Sequence, residues 1–169
     1  MKITFNKFQE CDLPIFREWL AEPHVKIFWQ ETEDDAALTE KIFKRFPKVG
    51  IEAFLIVLDD LSVGYIQCYE ACRVGDGWWP DALPGQYGID LLIGNPLIAG
   101  KGWGAKIISA YIEKLITEKN VNEIIIDPEP NNMRAISAYE KAGFKKVGII
   151  ETPNGKACLM CLKIKKAGL

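Results

Sequence analysis

The apolar positions of this chain change period several times, and each change marks an element boundary. Lys2 to Phe8 reads as a first strand, and from Asp12, a helix-capping residue type, Phe16, Trp19 and Leu20 recur on one helical face. Asp34 to Phe46 reads as a second helix. Two strands, Ala53 to Leu58 and Val63 to Ala71, turn at Asp59-Asp60-Leu61-Ser62, and a loop rich in Gly, Pro and Trp runs from Arg73 to Gln86. A strand at Tyr87 to Ile93 leads through a glycine cluster into a long helix, Trp103 to Lys119, with Ile107, Ile108, Tyr111 and Leu115 as its buried stripe. A strand at Glu123 to Asp127 follows, and strand, helix, strand at this length predicts a parallel pair joined by a right-handed crossover. Pro130 and Asn131 or Asn132 open a short helix in which Ile136 and Tyr139 share a face, with Gly143 suited to the left-handed position that ends it. A closing hairpin turns at Pro153-Asn154-Gly155, Asn-Gly being a strong hairpin signal. The sum is an α/β chain, a mixed sheet with helices on both faces and a ligand crevice at the carboxyl ends of the central parallel strands. No repeat, linker or low-complexity tract divides it, so residues 1–169 are read as one domain.

Between Ile98 and Gly104 stands Ile-Ala-Gly-Lys-Gly-Trp-Gly, at the junction of strand and helix. Gly100, Gly102 and Gly104 lack a Cβ, so successive backbone N–H groups can turn toward one point where the helix dipole adds its positive end. A phosphate or diphosphate is the expected guest; the alternative is an ordinary glycine-rich connection. Two familiar phosphate loops fit badly. Lys101-Gly102 is followed by Trp103 rather than Ser or Thr, and Lys106 and Ile107 stand where a dinucleotide loop carries its third glycine.

Charge and composition narrow the partners. A formal net charge of −2 gives no basic footprint for nucleic acid, and a cationic small molecule is the more natural substrate. The first twenty residues carry Lys2, Lys7, Glu10, Asp12 and Arg17 and no apolar core of signal-peptide length, and no stretch reaches a membrane span, so a cytoplasmic protein is expected. Five cysteines, an odd number, read as free thiols. Cys68-x3-Cys72 and Cys158-x2-Cys161 both fall in predicted strands, where offsets of four and three keep each pair from chelating, so no metal is expected. His24 is the one histidine and no G-x-S-x-G accompanies it, which counts against a serine hydrolase and leaves His24 as a surface or pocket-edge residue.

Acids gather at the predicted strand ends. Asp90 lies inside Ile89-Asp90-Leu91-Leu92-Ile93, where an ionised carboxylate is costly unless it is paired or lines a wet pocket. Asp127 closes Ile124-Ile125-Ile126, and Asp76 sits in Gly75-Asp76-Gly77-Trp78-Trp79. Each has a structural alternative: a buried ion pair, a strand-end cap, a turn former. Together they read as a receptor for ammonium groups. The run Glu31-Thr32-Glu33-Asp34-Asp35 reads instead as a solvated helix start.

Two signatures in this order resemble the GCN5-related N-acetyltransferases. Gly102 and Gly104 take the two small positions of that family's acetyl-coenzyme A loop, with Ala99 where the family usually has Arg or Gln. Asn132-Met-Arg-Ala-Ile-Ser-Ala-Tyr139-Glu-Lys-Ala-Gly143-Phe144 looks like its second signature. Within the family, Gly75-Asp-Gly-Trp-Trp79, Gly88-Ile-Asp90, Gly100-Lys-Gly102, Asp127-Pro and Tyr139-Glu-Lys-Ala-Gly-Phe144 resemble the aminoglycoside 6′-N-acetyltransferases, with good coverage from about Gly64 to Met160 and a weak match before it.

The resemblance implies the family fold, with the Tyr87 and Glu123 strands splayed around the pantetheine arm of acetyl-coenzyme A. It implies cofactor contacts from Leu91, Leu92, Gly100, Lys101, Gly102, Trp103, Gly104, Ala105 and Asn132, and no metal. Asp90 would be the general base, backbone N–H groups around Leu91 and Leu92 the oxyanion donors, and Tyr139 the acid for the departing thiolate. Asp76, Asp90 and Asp127 would hold acceptor amines, with Trp29, Trp78 and Trp79 as apolar walls. Read from residues alone, Tyr139 could equally be a core tyrosine and the two adjacent tryptophans loop anchors. Another acceptor (a siderophore hydroxylysine, a polyamine, a protein N-terminus), a non-catalytic acyl-coenzyme A sensor, and a tryptophan-loop interaction module remain the competing functions, with the chain a monomer or homodimer.

Overall fold

The computed structural model describes residues 1–75 and 77–166, so Asp76 lies outside the described residues. Its centre is a seven-stranded sheet in the order β1-β2-β3-β4-β5-β7-β6. The strands are β1 (Ile3–Lys7), β2 (Glu52–Leu58), β3 (Leu61–Glu70), β4 (Gln86–Ile93), β5 (Glu123–Ile126), β6 (Lys145–Thr152) and β7 (Gly155–Lys163). Neighbours pair antiparallel except β4 and β5, which run parallel, as the strand, helix, strand spacing predicts.

The two faces of the sheet bury different halves of the chain. Phe54, Ile56 and Leu58 of β2, Ile66 and Cys68 of β3, Ile89 of β4 and Ile124 and Ile126 of β5 point to one face. There they meet Ile107, Ile108, Tyr111, Ile112 and Leu115 of α6 (Trp103–Glu118) and Ile136 and Tyr139 of α7 (Met133–Lys141). On the other face Leu55, Val57, Tyr65 and Leu92 pack under Phe16, Trp19 and Leu20 of α1 (Leu13–Ala21), Val25 of α2 (Pro23–Lys26), Leu38 of α3 (Asp35–Glu40) and Ile42. Strand alternation produces this division, because side chains at i and i+1 leave a strand on opposite sides.

Two details depart from the sequence reading. The helix expected over Asp34 to Phe46 begins at its cap, Asp34, whose Oδ1 accepts from Ala37 N–H at 2.9 Å, but Lys41–Arg45 forms a π-helical turn before α4 (Phe46–Lys48). A short helix, α5 (Ala71–Val74), interrupts the start of the tryptophan-rich loop. The last hairpin turns where expected: Thr152 pairs with Gly155, so Pro153-Asn154 forms the tip and Gly155, at φ 113°, opens β7. No helix among the described residues is long and apolar enough to cross a membrane.

The feature that positions a site is the unequal pairing of β4. On one side it pairs with β3 from Tyr87 through Ile93, but on the other it pairs with β5 only through Gln86, Tyr87 and Gly88. From Ile89 onward β4 has lost its parallel neighbour, and a gap opens at the carboxyl end of the pair.

Candidate active site

Asp90 leaves β4 on the face that carries α1 to α4, two residues past the last β4–β5 pair. It is directly opposite Gln67 of β3, whose Nε2 donates to Asp90 Oδ2 at 3.0 Å. The Gln67 amide is oriented in turn by the Tyr65 hydroxyl, which donates to Gln67 Oε1 at 2.8 Å. Tyr65 is 1% exposed, and burial, then the charges of Asp90 and Glu31, push its hydroxyl above the ordinary tyrosine range, so it stays a donor. A Tyr65–Gln67–Asp90 chain therefore fixes the carboxylate at the mouth of the gap.

Tyr139 lies on α7, which packs on the opposite face of the sheet. It is 7% exposed, with Phe144 edge-on to its ring at 5.3 Å between centroids. Burial raises its hydroxyl above the ordinary value, and the charges of Asp90 and then Asp127 raise it further. Asp127 follows the last residue of β5. The two acids that the sequence places at separate strand ends thus act on one phenol. The ring is packed in the core, as the core reading of Tyr139 expects.

Trp78 and Trp79 of the loop are both partly exposed. Trp79 Nε1 donates to the Tyr69 hydroxyl at 3.3 Å, and Tyr69 lies on β3 on the same face as Gln67. Trp29 stands edge-on to Tyr65 at 5.9 Å between centroids and lines, with Glu31, Lys41 and Gln67, a cavity of about 120 Å³. A wider hollow of about 300 Å³ lies at the far, amino-terminal ends of β4 and β5, beside Gln86 and Glu123, away from these groups.

The acidic run is the solvated helix start expected for it at Asp34 and Asp35, which are exposed with Asp34 capping α3, but not at Glu31 and Glu33. The Glu31 side chain is 8% exposed and pairs with Lys41 at 2.9 Å, Glu33 pairs with Arg45 at 3.0 Å, and Asp35 pairs with Arg17. The run straps α3 and the π turn together and ties them to α1. The signal for it lay in the chain, because Lys41 and Arg45 are one helical turn apart, but their carboxylate partners sit upstream of the helix, where no helical periodicity relates them. Gln67 was also missed. Its signal is a polar residue in phase with Tyr65 and Tyr69 on an otherwise apolar strand.

The glycine loop lies beyond the end of β4. Gly100 and Gly102 have φ of 76° and 81°, and Gly102 caps α6. The first-turn N–H groups of α6, Trp103, Gly104 and Ala105, have no intrahelical acceptor by construction and point out of the helix start. Lys101 N–H is partly engaged by Ile98 C=O at 3.3 Å, so this amide contributes less than its neighbours. Trp103 packs against the core while the Lys106 ammonium lies 4.8 Å above its ring centroid. Asn132 caps α7, its Oδ1 accepting from Ala135 N–H at 3.1 Å. Cations (Lys101, Lys106, Arg134) collect by the loop, whereas Asp90 and Asp127 sit at the gap. His24 is half-buried, its Nε2 2.8 Å from Ile93 C=O at the end of β4.

Residues 9–152 match the family described as an acetyltransferase (GNAT) domain. The aminoglycoside N(6′)-acetyltransferase type 1 of Klebsiella pneumoniae is 37% identical over 163 residues, which cover 94% of this chain and 81% of that protein. The crystal structure of aminoglycoside acetyltransferase AAC(6′)-Ib with coenzyme A and kanamycin superposes with a TM-score of 0.89 at 35% identity, covering 96% of this chain and 95% of the other. A structure of AAC(6′)-Ib holding acetyl-coenzyme A gives a TM-score of 0.90, also at 35% identity, over 96% of this chain and 94% of that one. The chain belongs to the acetyltransferase (GNAT) family and is similar over nearly its whole length to aminoglycoside 6′-N-acetyltransferases.

Proposed function

We propose that this protein transfers the acetyl group of acetyl-coenzyme A to the 6′-amine of an aminoglycoside, directly and in a ternary complex. The observation that supports the reading is the gap left where β4 runs on past its last pair with β5, with Asp90 held there by Gln67 and a glycine-capped helix start beyond the end of the strand. The residues fit the cofactor: the N–H groups of the loop and first turn of α6 take the diphosphate, and the gap takes the pantetheine arm. Bound there, acetyl-coenzyme A supplies the acetyl thioester.

The chain's own groups do the rest. An ammonium cannot attack a carbonyl, so the acceptor must lose a proton, and Asp90, held by Gln67, takes it. Negative charge growing on the carbonyl oxygen meets a backbone N–H of β4. Adjacent N–H groups of a strand point to opposite edges, so of Leu91 and Leu92 only one faces the gap while the other bonds across to β3. Tyr139, kept protonated by burial and by the two carboxylates, gives its proton to the departing sulfur, and the second proton of the acylated nitrogen restores the phenol. Asp127, with Asp76, neutralises further amines of the acceptor, and Trp29, Trp78 and Trp79 cover its sugar faces. No thiol takes part: burial pushes Cys68 up to about 11, which makes it a poor nucleophile. This is a cytoplasmic enzyme, monomeric or homodimeric, that needs no metal.

Thiol release from acetyl-coenzyme A with one amine at a time tests the assignment. Aminoglycosides carrying a 6′-amine support turnover. If a polyamine or hydroxylated lysine reacts and no aminoglycoside does, the acceptor is misassigned while the acetyl-coenzyme A site stands. Tyr139→Phe lowers kcat roughly tenfold or more and leaves the KM for acetyl-coenzyme A nearly unchanged. A Tyr139→Phe enzyme with a lower melting temperature and normal kcat would make Tyr139 a packing residue alone.

A further inference from the structure

The loop lacks the side chain that the family pattern puts at residue 99, where this chain has Ala. Another element brings a cation to the same loop. A Cβ built on Gly104 would stand 3.2 Å from Ala138 Cβ, so α7 lies directly against the first turn of α6. Arg134 is four residues before Ala138 and therefore on the same face of α7, one turn nearer its start. It ends beside the loop: a Cβ on Gly100 would be 3.5 Å from the Arg134 guanidinium carbon and 3.6 and 3.7 Å from its two terminal nitrogens. Arg134 is exposed, and its guanidinium pairs with no carboxylate among the described residues.

We infer that Arg134 binds the diphosphate of coenzyme A, supplying from α7 the charge that position 99 does not. The inference rests on the acetyl-coenzyme A reading above and adds to it a named phosphate ligand. The chemistry suits the residue. A guanidinium offers a planar fork of donors to two phosphate oxygens, and the loop amides approach the same anion from the other side. The i, i+4 relation to Ala138 makes the contact a consequence of helix packing, because the contact that seats α7 on Gly104 also sets Arg134 over Gly100. Sequence alone hides this, since residues 100 and 134 are related only through the packing of two helices.

The test compares the affinities of coenzyme A, 3′-dephospho-coenzyme A and pantetheine for wild type, Arg134→Ala and Arg134→Lys, measured calorimetrically, with S-acetyl-pantetheine turnover as a second readout. Arg134→Ala weakens coenzyme A and dephospho-coenzyme A alike, by roughly tenfold or more, and Arg134→Lys recovers part of the loss. Pantetheine binding and the kcat/KM for S-acetyl-pantetheine show no comparable loss, because neither molecule has a diphosphate. Unchanged coenzyme A affinity in Arg134→Ala overturns the inference. So does a loss confined to coenzyme A and absent with dephospho-coenzyme A, which would assign the guanidinium to the 3′-phosphate. An equal loss with pantetheine also overturns it, since the substitution would then act by disturbing the loop. A wild-type protein that binds neither coenzyme would instead refute the acetyl-coenzyme A reading on which the inference rests.

Discussion

Asp90→Asn is expected to cut kcat with an aminoglycoside by about two orders of magnitude or more at neutral pH, while the KM for acetyl-coenzyme A moves little. The substitution keeps the shape of the side chain, and its remaining carbonyl oxygen can still accept from Gln67 Nε2, so the Tyr65–Gln67 arrangement survives. What is lost is the site that takes the proton from the acceptor ammonium. Asp127→Asn removes the same charge one strand away, at the end of β5, and raises the KM for the acceptor more than it lowers kcat. That increase shrinks as salt is raised, because attraction near solvent is screened. Steady-state kinetics on the two variants separate the roles. If Asp90→Asn changes only the acceptor KM, Asp90 binds the amine and another group, or solvent, removes its proton.

Gly102→Val is expected to abolish the rise in melting temperature that saturating acetyl-coenzyme A gives the wild type. The cause is backbone conformation. A Cβ on Gly102 would meet nothing within 4 Å, so no protein atom forbids the larger residue. At φ 81° and ψ 5°, however, Gly102 caps α6 in the left-handed region, which costs a non-glycine residue about 1–3 kcal/mol and a β-branched one most of all. Valine shifts the cap and turns the loop amides away from one another, and its branched side chain enters the open space beside them. The variant also starts from a lower melting temperature, so the readout is the ligand-induced shift within each protein. A full shift in Gly102→Val would show that the first turn of α6 does not carry the cofactor.

Local patterns carried much of this site into view. The stripe Ile107, Ile108, Tyr111, Leu115 fixed both the helix and its buried face, and the asymmetry of the Gly-rich loop against the apolar strand placed α6 at the end of β4. Asp90 and Asp127 were legible because a carboxylate in or after an isoleucine run has few structural uses. What escaped depends on partners far apart in sequence. Gln67 matters because the β3–β4 register sets it opposite Asp90, and register is a property of the pair of strands. Glu31 is buried because the π turn brings Lys41 back to it, and nothing local distinguishes it from the solvated acids beside it. The last hairpin was legible at Pro153-Asn154-Gly155, and Thr152 pairing with Gly155 leaves Pro153 inside the turn, a position its fixed φ accepts.

The central claim is that the Asp90–Tyr139 gap acetylates one particular amine, and identification of the product tests it most directly. Kanamycin and an otherwise similar aminoglycoside with a 6′-hydroxyl are each incubated with acetyl-coenzyme A and the protein, and the products are located by NMR. The account predicts one acetyl group on kanamycin, on the 6′-nitrogen, and no acetylation at the 6′-position of the hydroxyl analogue. Acetylation of kanamycin at a different amine, or equal turnover of the hydroxyl analogue at the same position, would contradict it.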